Sequence, residues 1–141
     1  MTGFLLDTNI ISELIKPRPD LRVTTWIEAT DEHLFFLSVL TLGEISKGIT
    51  SLTEPKRRVT LEAWLDRDLM LRFSGRILPI DYAVADLWGR ITGTAAARKS
   101  PIPVIDGLVA ASALHHGLVL VTRNTRDLAA ITVPVIDPWQ T

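Results

Sequence analysis

The chain contains no cysteine. That excludes a disulfide scaffold, a thiolate metal site and a cysteine nucleophile, and it fits a reducing compartment. An excess of either charge is also missing: 15 basic and 16 acidic side chains leave a net charge of −1. A nucleic acid would therefore have to meet a local basic patch, because a bulk basic footprint is absent. No apolar run approaches the roughly 20 residues that a membrane-spanning helix needs. The first residues, Met1 to Phe4, carry neither the basic region nor the cleavage pattern of a secretory leader. These absences point to a cytoplasmic protein with no membrane contact.

What the chain has is apolar content. Hydrophobic residues make up 47% of its 141 positions, mean hydropathy is +0.25 and only 22% of residues are charged. That composition excludes disorder and suits one domain, residues 1–141, built on a sheet covered on both faces or carrying a buried subunit contact.

Short apolar runs alternate with helical periodicity, the pattern of an α/β protein with a mainly parallel sheet of four or five short strands. Strands are expected at Gly3–Asp7, Leu34–Ser38, Arg76–Ile80, Leu118–Thr122 and Val133–Ile136. About seven helices are expected. The first ends near Lys16, before Pro17, and the second runs from a cap at Asp20 to Ala29. The third follows Ser38, with Leu42, Ile45, Ile49 and Leu52 as its apolar face. A long one runs from Pro55 to Phe73. Another is capped by Asp81, with a stripe of Val84, Leu87, Trp88, Ile91 and Ala95. Pro103 opens the helix that carries Asp106 and stops at Gly117, and a short helix spans Thr125 to Ile131.

In a parallel sheet the ligand crevice lies at the carboxyl ends of the strands. Asp7 ends the first strand, in Leu5-Leu6-Asp7-Thr8-Asn9. A helix cap is the plain alternative for it. Glu44 lies in the second turn of the third helix, after Gly43, a residue that costs a helix about 1 kcal/mol against Ala. Alone it reads as a solvated glutamate. Asp106 stands among apolar and small residues, Ile105 to Leu114, where an unpaired carboxylate is costly. A satisfied first-turn aspartate is the alternative there. The segment Thr122-Arg123-Asn124-Thr125-Arg126-Asp127 follows another strand and offers oxygen donors at Thr122, Asn124 and Asp127. Its arginines could meet phosphates or pair with acids.

Three carboxylates brought together repel by about 3 kcal/mol per pair at 5 Å and an effective dielectric of 20. A cation in their midst would relieve this. All-oxygen donors favour Mg²⁺ or Mn²⁺, and carboxylate-held Mg²⁺ without a nucleotide-binding loop suggests phosphodiester chemistry. The basic residues Lys56-Arg57-Arg58, Arg67, Arg72 and Arg76 could line an RNA surface, although a solvated helix face is the commoner reading. His115 and His116 sit at a helix end and are not expected to be ligands. The four tryptophans fit a core or interface better than a stacking platform for bases.

The four segments resemble the PIN-domain ribonucleases, most closely the VapC toxins of bacterial toxin–antitoxin pairs. The matching residues are Leu5-Leu6-Asp7-Thr8-Asn9 with Ser12, then Glu44, Asp106-Gly107 with Val109-Ala110-Ala111-Ser112-Ala113, and Thr122-Arg123-Asn124 with Asp127. They occur in the family's order along essentially the whole chain. Asp137-Pro138-Trp139 is similar to the FitB-type subgroup.

The resemblance implies a PIN-like three-layer α/β/α fold and an Mg²⁺- or Mn²⁺-dependent endoribonuclease acting on RNA. It also implies a homodimer and a cognate VapB-like antitoxin that blocks the acidic cleft and supplies any DNA contact. Asp7, Glu44 and Asp106 match the family's acidic metal site. The fourth ligand falls to Asp127 or to Asn124, since Asn124 stands where FitB-type sequences often have aspartate. Thr8 and Thr122 would orient ligands or water. Two other readings remain open on the residues alone: another Mg²⁺-dependent phosphoryl-transfer domain, and a catalytically weak partner-binding module.

Overall fold

A computed structural model describes residues 2–141, apart from the side chains of residues 95 and 96. The five strands are β1 (Phe4–Leu6), β2 (Phe35–Ser38), β3 (Ile77–Leu78), β4 (Val119–Val121) and β5 (Val135–Ile136). They form one sheet in the order β3-β2-β1-β4-β5, with every neighbouring pair parallel. The chain winds outward from β1 to β2 and β3, then returns to the other side of β1 as β4 and β5. The order reverses between β1 and β4, which makes the carboxyl ends of those two strands the topological switch point.

Alternation along the strands builds two cores. Leu6, Phe35, Leu37 and Val121 face one side, while Leu5 and Leu120 face the other. The first side is covered by α1 (Thr8–Leu14), α2 (Leu21–Glu28), α3 (Val39–Thr50) and α4 (Pro55–Ala63), and by Leu65, Leu69 and Phe73, the last two flanking the short α5 (Met70–Arg72). The second is covered by α8 (Val104–His115), against which α6 (Tyr82–Thr92) packs. The result is the expected three-layer α/β/α arrangement.

Most helix ends carry the caps their residues suggest. Asp20, Ser38 and Asp81 accept bonds from Arg22 N, Leu40 N and Val84 N, and Glu54 caps α4 with Pro55 in first position. At the end of α8, Leu118 N donates to Ala113 O at 2.8 Å and Gly117 N to Leu114 O at 3.3 Å. This Schellman closure needs a left-handed residue, and Gly117 supplies it at φ 65°.

Three elements differ from the sequence reading. The long helix after Pro55 contains a π turn, Trp64–Leu69, where Met70 N bonds to Leu65 O. Leu65, Leu69 and Phe73 are four apart and all reach the core. In a 3.6-residue helix that spacing drifts around the axis, and one wider turn counters the drift. The helix expected over Thr125 to Ile131 is a single 3₁₀ turn, Arg126–Leu128. The helix capped by Asp81 stops at Thr92, and a separate short α7 (Ala95–Lys99) follows a new cap at Thr94. The burial of Ala95, the last residue of the expected stripe, lies outside the described residues. Two further 3₁₀ turns, Glu32–Leu34 and Pro138–Gln140, gave no signal in the periodicity.

Candidate active site

The switch point is stitched by Asp7. Its backbone N–H donates to Val121 O at 2.9 Å, so it continues the β1–β4 ladder by one bond. Its carboxylate caps α1, with Oδ1 accepting from Thr8 N at 2.8 Å, while Oδ2 accepts from Thr122 Oγ1 at 2.7 Å. Cap and pocket residue are thus the same group. Asp7 is only 7% exposed. Burial pushes its pKa up, against the lowering by the Thr122 and Thr8 hydrogen bonds, and the Glu44 charge adds to the rise.

Thr122 is fully buried at the end of β4. Besides donating to Asp7, its hydroxyl accepts from Asn124 N at 3.0 Å and from Asn9 Nδ2 at 3.2 Å. Thr8, the first residue of α1, donates through Oγ1 to Glu44 Oε1 at 2.5 Å. The two threonines therefore hold two of the acids. Glu44 is half-buried in the second turn of α3.

Asp106 is the exception. It lies in the first turn of α8, half-buried, and no described protein group donates to its carboxylate. Its pKa is pushed up to about 6, first by burial and then by the charges of Asp7, Asp127 and Glu44. The satisfied first-turn aspartate of the sequence reading is not what the structure holds.

Asp7, Thr8, Glu44, Asp106 and Asn124 line one pocket of about 370 Å³. Thr122 sits behind Asp7, and Asp127 is exposed on its 3₁₀ turn, off the pocket wall, sensed by Asp106 only through its charge. Among the described residues, no three His, Cys, Asp or Glu side chains stand close enough together to hold a metal ion as a group. Mg²⁺ does not require such a group: it keeps several waters and takes one or two carboxylates. An unpaired, raised-pKa carboxylate facing two others, with no nitrogen or sulfur donor at hand, fits a hard divalent cation.

Sequence reasoning missed part of the wall. Glu13, Lys16 and Trp139 also line the pocket, beside Ser12 and Arg123, which the sequence segments had already singled out. Lys16 is taken by buried Glu13 at 2.9 Å, and Glu13 also accepts from Asp20 N at 3.0 Å. The i, i+3 spacing of Glu13 and Lys16 on an amphipathic helix could have signalled that pair. Trp139, read as core or interface, is core and pocket wall together. Arg72 and Arg76 are not part of an open basic face: both pair with Glu32, and Arg76 also donates to Phe35 O at 2.7 Å. The space beside Glu44 that Gly43 leaves is simply open, with nothing within 4 Å of where a Cβ would stand.

The PIN-domain family model matches residues 4–133. The chain belongs to the PIN-domain family. Among curated PIN relatives, it is 36% identical over 135 residues to the toxin FitB of Neisseria gonorrhoeae, spanning 96% of this chain and 97% of that one. It is 33% identical over 136 residues to the VapC ribonuclease Y4jK of Sinorhizobium fredii, spanning 96% and 97%. Among solved PIN structures, FitAcB from Neisseria gonorrhoeae matches with a TM-score of 0.92 at 36% identity, covering 98% and 99% of the two chains. DNA-bound VapBC from Salmonella typhimurium matches at 0.75 and 25% identity, covering 98% and 99%. No helix among the described residues of this PIN chain is long and apolar enough to cross a membrane.

Proposed function

We propose that this chain is the toxin of a toxin–antitoxin pair, an endoribonuclease that hydrolyses RNA phosphodiesters with Mg²⁺ or Mn²⁺. The observation that carries it is the convergence of Asp7, Glu44 and Asp106, from three distant segments, on one pocket at the switch point. The names of the relatives, toxin and ribonuclease, support the same reading over another phosphoryl-transfer domain or a bare binding module.

Asp7 and Asp106 would hold the cation directly, with Glu44 and Asn124 binding it or its waters and Asp127 adding charge from outside the pocket. A bound divalent cation supplies Lewis acidity for attack by water on the phosphodiester and offsets charge on the phosphate. Thr122 and Thr8 keep Asp7 and Glu44 in place through the hydrogen bonds described above. Asp106, free of protein donors, keeps its lone pairs for the ligand. Among the described residues no histidine lines the pocket, and proton removal would fall to a carboxylate or to bulk water.

The pocket shares Thr8, Ser12 and Glu44 with a second, adjacent groove lined by Ile11, Ile15, Ile45, Ile49, Leu52 and Leu61. Such a groove suits an apolar segment of the antitoxin, followed by an Arg or Lys that reaches Asp7 and Asp106. The charge-assisted, bidentate form of that contact is the strong one. DNA would be bound by the antitoxin. A homodimer, in the cytoplasm, completes the reading. Val104 and Ile105, exposed beside Asp106 at the start of α8, support an apolar contact next to the site.

Expression of the chain without a partner is expected to arrest growth and produce new RNA ends, with Asp7→Asn restoring growth. An Asp7→Asn protein that cleaves RNA as well as wild type in Mg²⁺ or Mn²⁺ would sink the site assignment.

A further inference from the structure

The pocket wall carries two cations, Lys16 and Arg123, and they differ. Lys16 is neutralised by Glu13 at 2.9 Å. Among the described residues, no carboxylate lies within salt-bridge distance of Arg123, and no protein acceptor takes its guanidinium N–H groups. Asp20 feels the Arg123 charge, but its two oxygens are already held by Arg22 at 3.2 and 2.9 Å, and its pKa is down at about 2 with that pairing as the main cause. Asp20 is therefore not waiting for a second arginine.

Arg123 is nonetheless held in place. Its guanidinium carbon stands 4.9 Å from the ring centroid of Trp139. Trp139 is 3% exposed and belongs to the core cluster with Leu6, Ile10, Val23 and Val121. Its backbone N–H donates to Asp137 Oδ1 at 2.9 Å. The backbone N–H of Arg123 reaches Asn9 Oδ1 at 3.4 Å. An exposed arginine laid on a buried, fixed indole loses little further rotamer freedom when it binds. Its donors stay unspent, and stacking of a cation on tryptophan is the favourable form of that contact.

We propose that Arg123, on the Trp139 platform, binds a phosphate of the RNA backbone at the mouth of the acidic pocket. The proposal rests on the ribonuclease reading above. Three carboxylates repel an arriving polyanion. A cation in the pocket answers that at the cleaved phosphate but not at its neighbours. A guanidinium fork at the rim, matched to two phosphate oxygens, answers it there. The contact touches a non-reacting phosphate, so it adds binding equally in the ground and transition states and reads nothing of base sequence.

The test compares wild type, Arg123→Gln and Arg123→Lys. Fluorescence anisotropy with a mixed-sequence single-stranded RNA in Mg²⁺ gives Kd over a series of salt concentrations. Gels of the same samples follow cleavage. Arg123 is exposed, so thermal melts are expected to be unchanged and serve as the folding control. For Arg123→Gln, Kd is expected to rise about tenfold or more, the scale of a lost hydrogen bond to a charged group. The slope of log K against log salt is expected to fall by about 0.7, the value for one phosphate contact on a single strand. Arg123→Lys is expected to restore the slope while recovering only part of Kd. Cleavage at saturating RNA is expected to change little. An unchanged Kd and slope in Arg123→Gln, with wild type binding and cleaving RNA, would overturn this proposal alone and leave the fork to a protein carboxylate. Failure of wild type to bind or cleave any RNA would overturn the ribonuclease reading, and this proposal with it.

Discussion

Asp106 combines a cost with a use, and replacing it by asparagine separates the two. Folding raises its pKa from 3.8 to about 6 through burial first and the neighbouring charges second. At 1.36 kcal/mol per unit, a shift of about two units would be worth about 3 kcal/mol. Asp106 is only half-buried, and solvent screening reduces this to about 1 kcal/mol. A carboxyl whose pKa is raised on folding destabilises the protein where the unfolded chain is ionised. Below pH 3.8 both states are protonated and the penalty is absent. It grows as pH rises from 3.8 to about 6, where the folded chain binds the extra proton, and is complete above that. An asparagine in its place does not titrate. In EDTA, Asp106→Asn is therefore expected to match wild type near pH 4 and to exceed it by about 1 kcal/mol, roughly 4 °C in Tm, at pH 7 to 8. Saturating Mn²⁺ at about 100 times Kd adds about 2.7 kcal/mol to a protein that binds it. Wild type should gain most of that and the variant little, so the order reverses. Differential scanning calorimetry of both proteins, with EDTA or Mn²⁺ across that pH range, gives all the quantities. Equal stabilisation of the two proteins by Mn²⁺ would remove Asp106 from the metal site. A stability difference in EDTA that does not vary with pH would reduce Asp106 to a packing residue.

Thr122→Val keeps the shape of a fully buried side chain but removes the donor to Asp7 and the acceptor for Asn124 and Asn9; urea unfolding is expected to show a loss of about 2 kcal/mol, with a loss of RNA cleavage beyond what stability explains. Gly107→Ala would place a Cβ 3.0 Å from Trp88 Nε1 and 3.1 Å from its Cδ1, and a loss of about 1–3 kcal/mol in melts is expected from overpacking α6 against α8. Gly43→Ala meets nothing within 4 Å, so it is expected to stabilise α3 by up to about 1 kcal/mol; a decrease in Tm would show that the glycine serves a contact made only in a complex. Light scattering at micromolar concentration is expected to give about twice 15.6 kDa, and a monomer mass would count against the dimer.

The fold was legible because its signals are local. Each strand is a short apolar run, and Ser38, Asp20, Asp81 and Pro55 mark helix starts with residues whose capping role needs no tertiary context. What escaped depends on contacts between distant segments. The π turn exists because Leu65, Leu69 and Phe73 must share one core, and no window of sequence shows where that core lies. The turn at Arg126–Leu128 ends after three residues, with Leu128 buried against the α8 side of the sheet, although the local pattern would allow a longer helix.

The acids show the same division more sharply. Asp7, Glu44 and Asp106 could be picked out because a carboxylate beside an apolar strand or inside an apolar helix conflicts with its surroundings, and a conflict is visible in sequence. Their supports could not be picked out in the same way. Thr8, Thr122 and Asn9 are ordinary turn and cap residues until strand pairing lays β1 beside β4 and brings α3 over α1. Arg123 is the extreme case. Its neighbours in sequence offer it acids, yet in space Asp20 is taken by Arg22 and the group beneath Arg123 is an indole sixteen residues on. A pocket that attracts a cation and must still admit a polyanion needs both kinds of charge. The acids are the half that sequence conflict reveals, and the basic half is fixed by the fold, which sets an arginine without a salt-bridge partner among the described residues on the pocket wall.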